Sequence, residues 1–166
     1  FALEAPDFHI IYPVHPNPNV SEPVRELLGS HPRIRLLPSQ DYVHFVSLMA
    51  DSYFVLTDSG GIQEEAPVLG KPVLVMREET ERPEAVEAHA AILVRTDEDL
   101  IVRTAARLLL DDAYYASFAH AESPFGDGHA AERIVDVLLQ RLCGVGDGAD
   151  RHRMMRADAL KTSGAI

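Results

Sequence analysis

Thr57-Asp58-Ser59-Gly60-Gly61-Ile62-Gln63-Glu64-Glu65 is the stretch on which the reading of this chain turns. It follows Tyr53-Phe54-Val55-Leu56, an apolar run that reads as a buried strand, and it precedes a segment able to wind into a helix. A strand that ends in a small-residue turn and opens a helix is a natural anion site. The first helical amides have no internal partner, and the helix dipole is positive there. Gly60 and Gly61 let a ligand come close to the backbone without Cβ atoms in the way. Ser59 can donate its hydroxyl to a phosphate oxygen. Glu65 lies four residues after Gly61, about one helical turn in, so it faces the same end. A carboxylate there repels phosphate but can accept hydrogen bonds from a ribose diol further out. The structural alternative is an ordinary strand–turn–helix corner, because glycine pairs commonly mark turns.

Outward from that turn, strands and helices alternate. His9–Val14 is β-rich and ends at prolines; Arg33–Leu37 is a short strand; Pro72–Met76 and Ala91–Val94 are nearly all-apolar strands, as in a parallel sheet covered on both faces. Ser21–Gly29 has a capping serine, an early proline and a closing glycine, a compact helix signature. Tyr42–Ala50 puts Phe45, Val46, Leu48 and Met49 on a helical face. Pro67 is expected to kink the helix after the glycine turn, or make it restart, before Gly70 ends it. Asp97–Leu110 is amphipathic, Asp112–His120 makes a shorter helix, and a last helix covers about His129–Leu142, with Ile134, Val137, Leu138 and Leu142 expected to face inward. Five alternations with short connections predict an α/β, Rossmann-like, doubly wound domain with a mostly parallel sheet, whose ligands bind beyond the strand C-termini. That domain is expected over residues 1–143. Residues 144–166, rich in Gly, Asp and Arg, read as a flexible tail with a solvated Arg151–Arg156 run.

The 166 residues suffice for one domain with a real core. Hydrophobic content of 46% and charged content of 25% are those of an ordinary globular chain. The formal charge of −11 argues against nucleic acid or an anionic membrane as a main partner, while leaving room for one anion at a helix terminus. The single Cys143 excludes an intrachain disulfide and a Cys-rich metal site, and it fits a reducing cytoplasm. His9, His31, His44, His89, His120 and His129 form no metal-ligand spacing. No apolar run approaches the roughly 20 residues of a membrane span. The chain begins at Phe1 rather than Met and enters a strand almost at once, so it reads as a piece of a longer protein.

Five motifs in order carry a resemblance: Tyr12-Pro13-Val14-His15-Pro16-Asn17-Pro18-Asn19-Val20, Thr57 to Pro67, Gly70-Lys71-Pro72-Val73-Leu74, Thr80-Glu81-Arg82-Pro83-Glu84 and Gly126-Asp127-Gly128. Over about residues 8 to 142 the chain resembles the C-terminal half of the non-hydrolysing UDP-N-acetylglucosamine 2-epimerases. That family has the GT-B architecture, in which two Rossmann-like domains hold a nucleotide sugar between them. The resemblance implies that Ser59, Gly60 and Gly61 hold the UDP phosphates and that Glu65 binds the ribose hydroxyls. It implies that Gln40 and Phe45 form the uracil site and that Arg82 contacts the nucleotide with a permanently charged donor fork. His15 matches a histidine that helps bind a second, regulatory UDP-N-acetylglucosamine. The structural alternatives are a core position for Phe45, a turn cap for Gln40, a surface ion pair with Glu79 or Glu84 for Arg82, and a loop-ordering role for His15. Phe125 stands where relatives commonly have Tyr, so a hydroxyl is lost.

The reaction implied is inversion at C2 of UDP-N-acetylglucosamine, by elimination of UDP to a 2-acetamidoglucal and re-addition on the other face, with no metal or nicotinamide cofactor. The family's His-Arg-Arg-Glu motif and its acid/base carboxylates lie upstream of Phe1, so no catalytic residue is assigned here. The expectation is a UDP-binding half, inactive alone, whose full-length parent is a cytoplasmic homodimer. The alternatives are a hydrolysing epimerase, a GT-B glycosyltransferase domain and a stand-alone nucleotide-binding module.

Overall fold

Parallel pairing of short apolar strands sets the frame. The computed structural model describes residues 8–120 and 123–143; the expected tail at 144–166 lies outside them. Among the described residues there are five strands, β1 (Ile10–Pro13), β2 (Ile34–Leu37), β3 (Val55–Thr57), β4 (Val73–Val75) and β5 (Ala91–Leu93). There are seven helices, α1 (Pro18–Leu28), α2 (Tyr42–Asp51), α3 (Gly60–Val68), α4 (Pro83–Glu87), α5 (Glu98–Leu110), α6 (Asp112–Ala119) and α7 (Ala130–Cys143). The fold is α/β, and every ladder is parallel: β1 pairs with β2, Ile10 opposite Ile34, and β4 lies between β3 and β5, with Val73 opposite both Val55 and Ala91.

Phe8, just before β1, stacks on Phe54, just before β3, with ring centroids 5.5 Å apart. The strands thus form two sheets, β1-β2 and β3-β4-β5, and the Phe8–Phe54 stack links the residues just ahead of β1 and β3. In doubly wound parallel folds ligands bind in the crevice beyond the C-terminal ends of the strands.

Central strand β4 is wholly buried at all three positions, as its unbroken apolar run predicts. Its Leu74 packs with Val94, Ala105 and Leu108 in a core that Phe54, Met76, Ile92, Tyr114 and Phe118 close. Helix α5 is held at its start by Asp97, whose carboxylate accepts from Leu100 N at 2.9 Å. Asp111 repeats this for α6, accepting from Tyr114 N at 2.9 Å.

Four local expectations need correction. Helix α1 begins three residues before Ser21, because Asn17 is the cap, accepting from Asn19 N, and Pro18 opens the first turn. Pro67 does not restart α3, which runs unbroken through it. It is the penultimate residue, and Leu69 and Lys71 both donate to Ala66 O at 3.1 Å. Gly70 then reverses the chain with a φ of 68°, and a Cβ there would lie 3.2 Å from the Ala119 carbonyl. The short α4 is an addition. Finally, α7 belongs to a second compact unit that begins at Phe125. Its apolar stripe is exposed, Leu138 by 49% and Leu142 by 77%, where an inward face was expected. An amphipathic period shows which face calls for cover, not that the chain supplies it.

Candidate functional site

Beyond the C-terminal end of β3 the backbone turns through Asp58 and Ser59 into α3. Ser59 is the N-cap residue, in an extended conformation (φ −81°, ψ 133°), and its hydroxyl makes no capping hydrogen bond. Its N–H is taken by Thr57 Oγ1 at 3.0 Å. Gly60 and Gly61 are the first two residues of the helix, and neither has a positive φ. A Cβ on Gly60 would meet nothing within 4 Å, and one on Gly61 would meet only Glu65 Oε1, at 3.9 Å. Neither backbone strain nor packing demands glycine at these positions. Two glycines at the head of a helix lower its stability, by up to about 1 kcal/mol each for an interior position. What they leave is a pair of bare amides at the positive end of a helix, with open space above them and a carboxylate one turn away.

The loop after β4 is fastened to this turn at three points. Arg77 donates from Nε to the Asp58 carbonyl and forms an ion pair with Glu81. Thr80 donates its hydroxyl to Gln63 Oε1, and Gln63 Nε2 donates to Ser59 O at 3.2 Å. Arg82 forms an ion pair through Nε with Glu64 and donates from Nη1 to Glu81 O at 3.0 Å. The Glu64 hydrogen bond and charge raise the Arg82 pKa above its already high ordinary value. The partner of Arg82 is thus Glu64, rather than Glu79 or Glu84.

The segment after β2 meets the turn through Glu65. Tyr42, at the start of α2, faces the Glu65 carboxylate, whose hydrogen-bonding and charge interaction pushes the phenol pKa above its ordinary value. Gln40 lies just ahead, its amide donating to Pro38 O at 2.6 Å, a local turn contact. Phe45 is half-buried on α2, one turn before the buried Met49. His15 follows β1 and is exposed. Its Nδ1 accepts from Asn17 N at 3.2 Å, which leaves Nε2 as the protonated nitrogen of the neutral ring. It lines a cavity of about 310 Å³ together with Ser21, Arg25, Leu37 and Ser39.

Ser59, Gly60, Gly61 and Glu65 therefore share one turn, to which Arg82 is joined through Glu64. Tyr42 ties the Gln40–Phe45 segment to the same turn. His15 stands apart, in the cavity after β1. Sequence reading singled out neither Tyr42, Arg77, Thr80 nor Gln63. For Gln63 a signal existed: Gln63, Ala66 and Pro67 fall at i, i+3 and i+4, and all three are buried. Among the described residues no group of three His, Cys, Asp or Glu side chains could hold a metal ion, and no helix is long and apolar enough to cross a membrane.

Residues 1–139 match the family model described as UDP-N-acetylglucosamine 2-epimerase. The chain is 53% identical over 137 residues to a UDP-N-acetylglucosamine 2-epimerase of Yersinia pestis, an alignment covering 82% of this chain and 36% of that protein. It superposes on the UDP-GlcNAc 2-epimerase of Neisseria meningitidis bound to UDP-GlcNAc with a TM-score of 0.77 and 46% identity, over 84% of this chain and 38% of that one. On S. aureus MnaA in its complex with UDP the TM-score is 0.81 and the identity 44%, over 88% and 40% of the two chains. The chain thus spans about a third of the length of the curated relatives it matches. Its α/β fold is one Rossmann-like half of the GT-B architecture of those neighbours. With the turn after β3, the parallel strand order and the family match in agreement, the chain belongs to the UDP-N-acetylglucosamine 2-epimerase family.

Proposed function

We propose that this chain is the part of a non-hydrolysing UDP-N-acetylglucosamine 2-epimerase that grips UDP. The observation that carries this reading is the glycine pair. Gly60 and Gly61 sit in ordinary helical conformation beneath open space, a choice that favours a ligand and not the helix. The diphosphate lies against their amides and the Ser59 hydroxyl, where the helix dipole favours negative charge. Glu65, braced by Tyr42, accepts from the ribose diol. Gln40 and Phe45 take the uracil, the amide reading the base edge and the ring stacking on it. Arg82 reaches the nucleotide with the donors that Glu64 and Glu81 leave unused.

In the epimerisation so proposed, a proton leaves C2 and UDP departs, giving a 2-acetamidoglucal. UDP then adds back while a proton returns to the other face of C2. The proton transfers are general acid–base work for groups outside this chain. This chain stabilises charge developing on the departing phosphate, through the helix terminus and Arg82. By holding UDP in place it makes re-addition effectively unimolecular. His15 contacts a second, regulatory nucleotide sugar. The proposal includes a preceding Rossmann-like domain, a homodimeric parent and a cytoplasmic setting, whose reducing milieu suits a chain with one cysteine. Products of the full-length parent separate this reading from the hydrolysing one: UDP-N-acetylmannosamine against free N-acetylmannosamine and UDP.

Calorimetric titration of the chain with UDP tests the grip. Binding that weakens at least tenfold in Ser59→Ala and Glu65→Ala supports it; equal affinity in both variants and the parent sequence refutes it.

A further inference from the structure

Gln63 is fully buried, yet an apolar side chain of the same shape would suit its place on α3 beside Ala66 and Pro67. Replacing both members of a buried hydrogen-bonded pair by apolar isosteres is often close to neutral for stability. The amide therefore earns its place by geometry. Its Nε2 holds the Ser59 carbonyl at 3.2 Å, while its Oε1 accepts the Thr80 hydroxyl. Thr80 Oγ1 in turn accepts from Arg82 N at 3.0 Å. One unbroken relay therefore runs from the Arg82 backbone through Thr80 and Gln63 to the Ser59 carbonyl, and both of its ends are residues assigned above to the nucleotide. The two loops are otherwise joined by the half-exposed Arg82–Glu64 ion pair, which holds geometry loosely, and by Arg77 Nε donating to the Asp58 carbonyl. At the middle of the relay Gln63 is fully buried, and Thr80 is partly so.

We infer that Gln63 and Thr80 form a positioning strut that sets the spacing between Arg82 and the Ser59–Gly61 amides, so that cation and helix terminus engage the same diphosphate. This rests on the nucleotide reading of the turn. Fixed donors are effective because they need no rearrangement when the ligand arrives. Misplacing such groups by about 1 Å can cost on the order of a hundredfold. Neither residue touches the ligand; both act through their neighbours.

The test uses the 166-residue chain, with UDP as the probe and thermal unfolding measured alongside. The parent sequence and Gly61→Ala are titrated first. If the parent does not bind, or Gly61→Ala binds as well as the parent, the nucleotide reading fails and this inference with it. Given a responsive site, the strut predicts that Q63M/T80V, which takes these partners from the Ser59 carbonyl and the Arg82 N–H and so unfolds at a lower temperature, binds UDP about tenfold more weakly at a temperature where it is fully folded. Thr80→Ser, which keeps the hydroxyl, retains parent affinity. Arg82→Ala weakens binding less in the Q63M/T80V background than in the parent, because the guanidinium is already misplaced there. A role in stability alone predicts the reverse: additive effects of Arg82→Ala and affinity that changes only with unfolding temperature. Parent-like affinity in a folded Q63M/T80V chain overturns the strut. Should that double variant not fold, single Thr80→Val against Thr80→Ser decides, with equal affinity of the two overturning it.

Discussion

At Gly61 two demands on one residue point in opposite directions. A helix prefers almost any residue to glycine, and the space above Gly61 admits a methyl group with only Glu65 Oε1 nearby, at 3.9 Å. A phosphate against the amide needs that same space. Gly61→Ala is therefore expected to leave stability unchanged or raise it by up to about 1 kcal/mol, while lowering UDP affinity at least tenfold. Denaturant unfolding and calorimetry on the same preparation give both numbers. Asp127 makes a second residue-level case. Two donors of Arg133 and the His129 N–H hold its carboxyl at about 2, below the ordinary 3.8. A depressed folded-state pKa gives stabilisation that is complete above the ordinary value and lost as pH falls through the folded one. Carbon-13 titration of the Asp127 carboxyl is thus expected to show a midpoint near 2, moving up toward 3.8 in Arg133→Ala. The glycine pair was visible as punctuation, but that it is free of strain and packing is a property of the space around it. Gln63 was overlooked because a polar letter in an acidic helix looks solvated until its register with Ala66 and Pro67 is followed inward.

Among the elements, β4 and α5 were readable because nothing competes with their signals. An unbroken apolar run admits little but a strand covered on both faces, and Asp97 stands before a clear apolar stripe. Helix α1 was harder, because Asn17-Pro18 and Ser21 to Pro23 are rival start signals and the earlier one prevails. Helix α7 was placed correctly but its face was not, since periodicity carries no information on cover. That contrast makes a paired prediction. Leu108 is fully buried against Leu74 and Val94, so Leu108→Ala is expected to cost about 2–5 kcal/mol in urea unfolding. Leu138 is half-exposed, and Leu138→Ala is expected to fall within about 0.5 kcal/mol.

Over the whole molecule, the division of labour follows from what parallel strands offer. They converge their C-terminal ends on one crevice, which brings Ser59, Glu65, Arg77 and Arg82 together from separate stretches of chain. The chain supplies donors and a positive helix end suited to a leaving diphosphate, and its proposed part in the reaction is to keep UDP within reach. By itself it is accordingly expected not to exchange the C2 hydrogen of UDP-N-acetylglucosamine for deuterium in heavy water, as followed by proton NMR. Exchange above the buffer rate would show that acid–base chemistry resides in these residues as well. Where the diphosphate sits is decided by a crystal of this chain grown with UDP. The expected map has both phosphates within hydrogen-bond distance of the Gly60 and Gly61 amides and the ribose diol on Glu65. A map with UDP bound elsewhere, and only solvent over the two glycines, would contradict it.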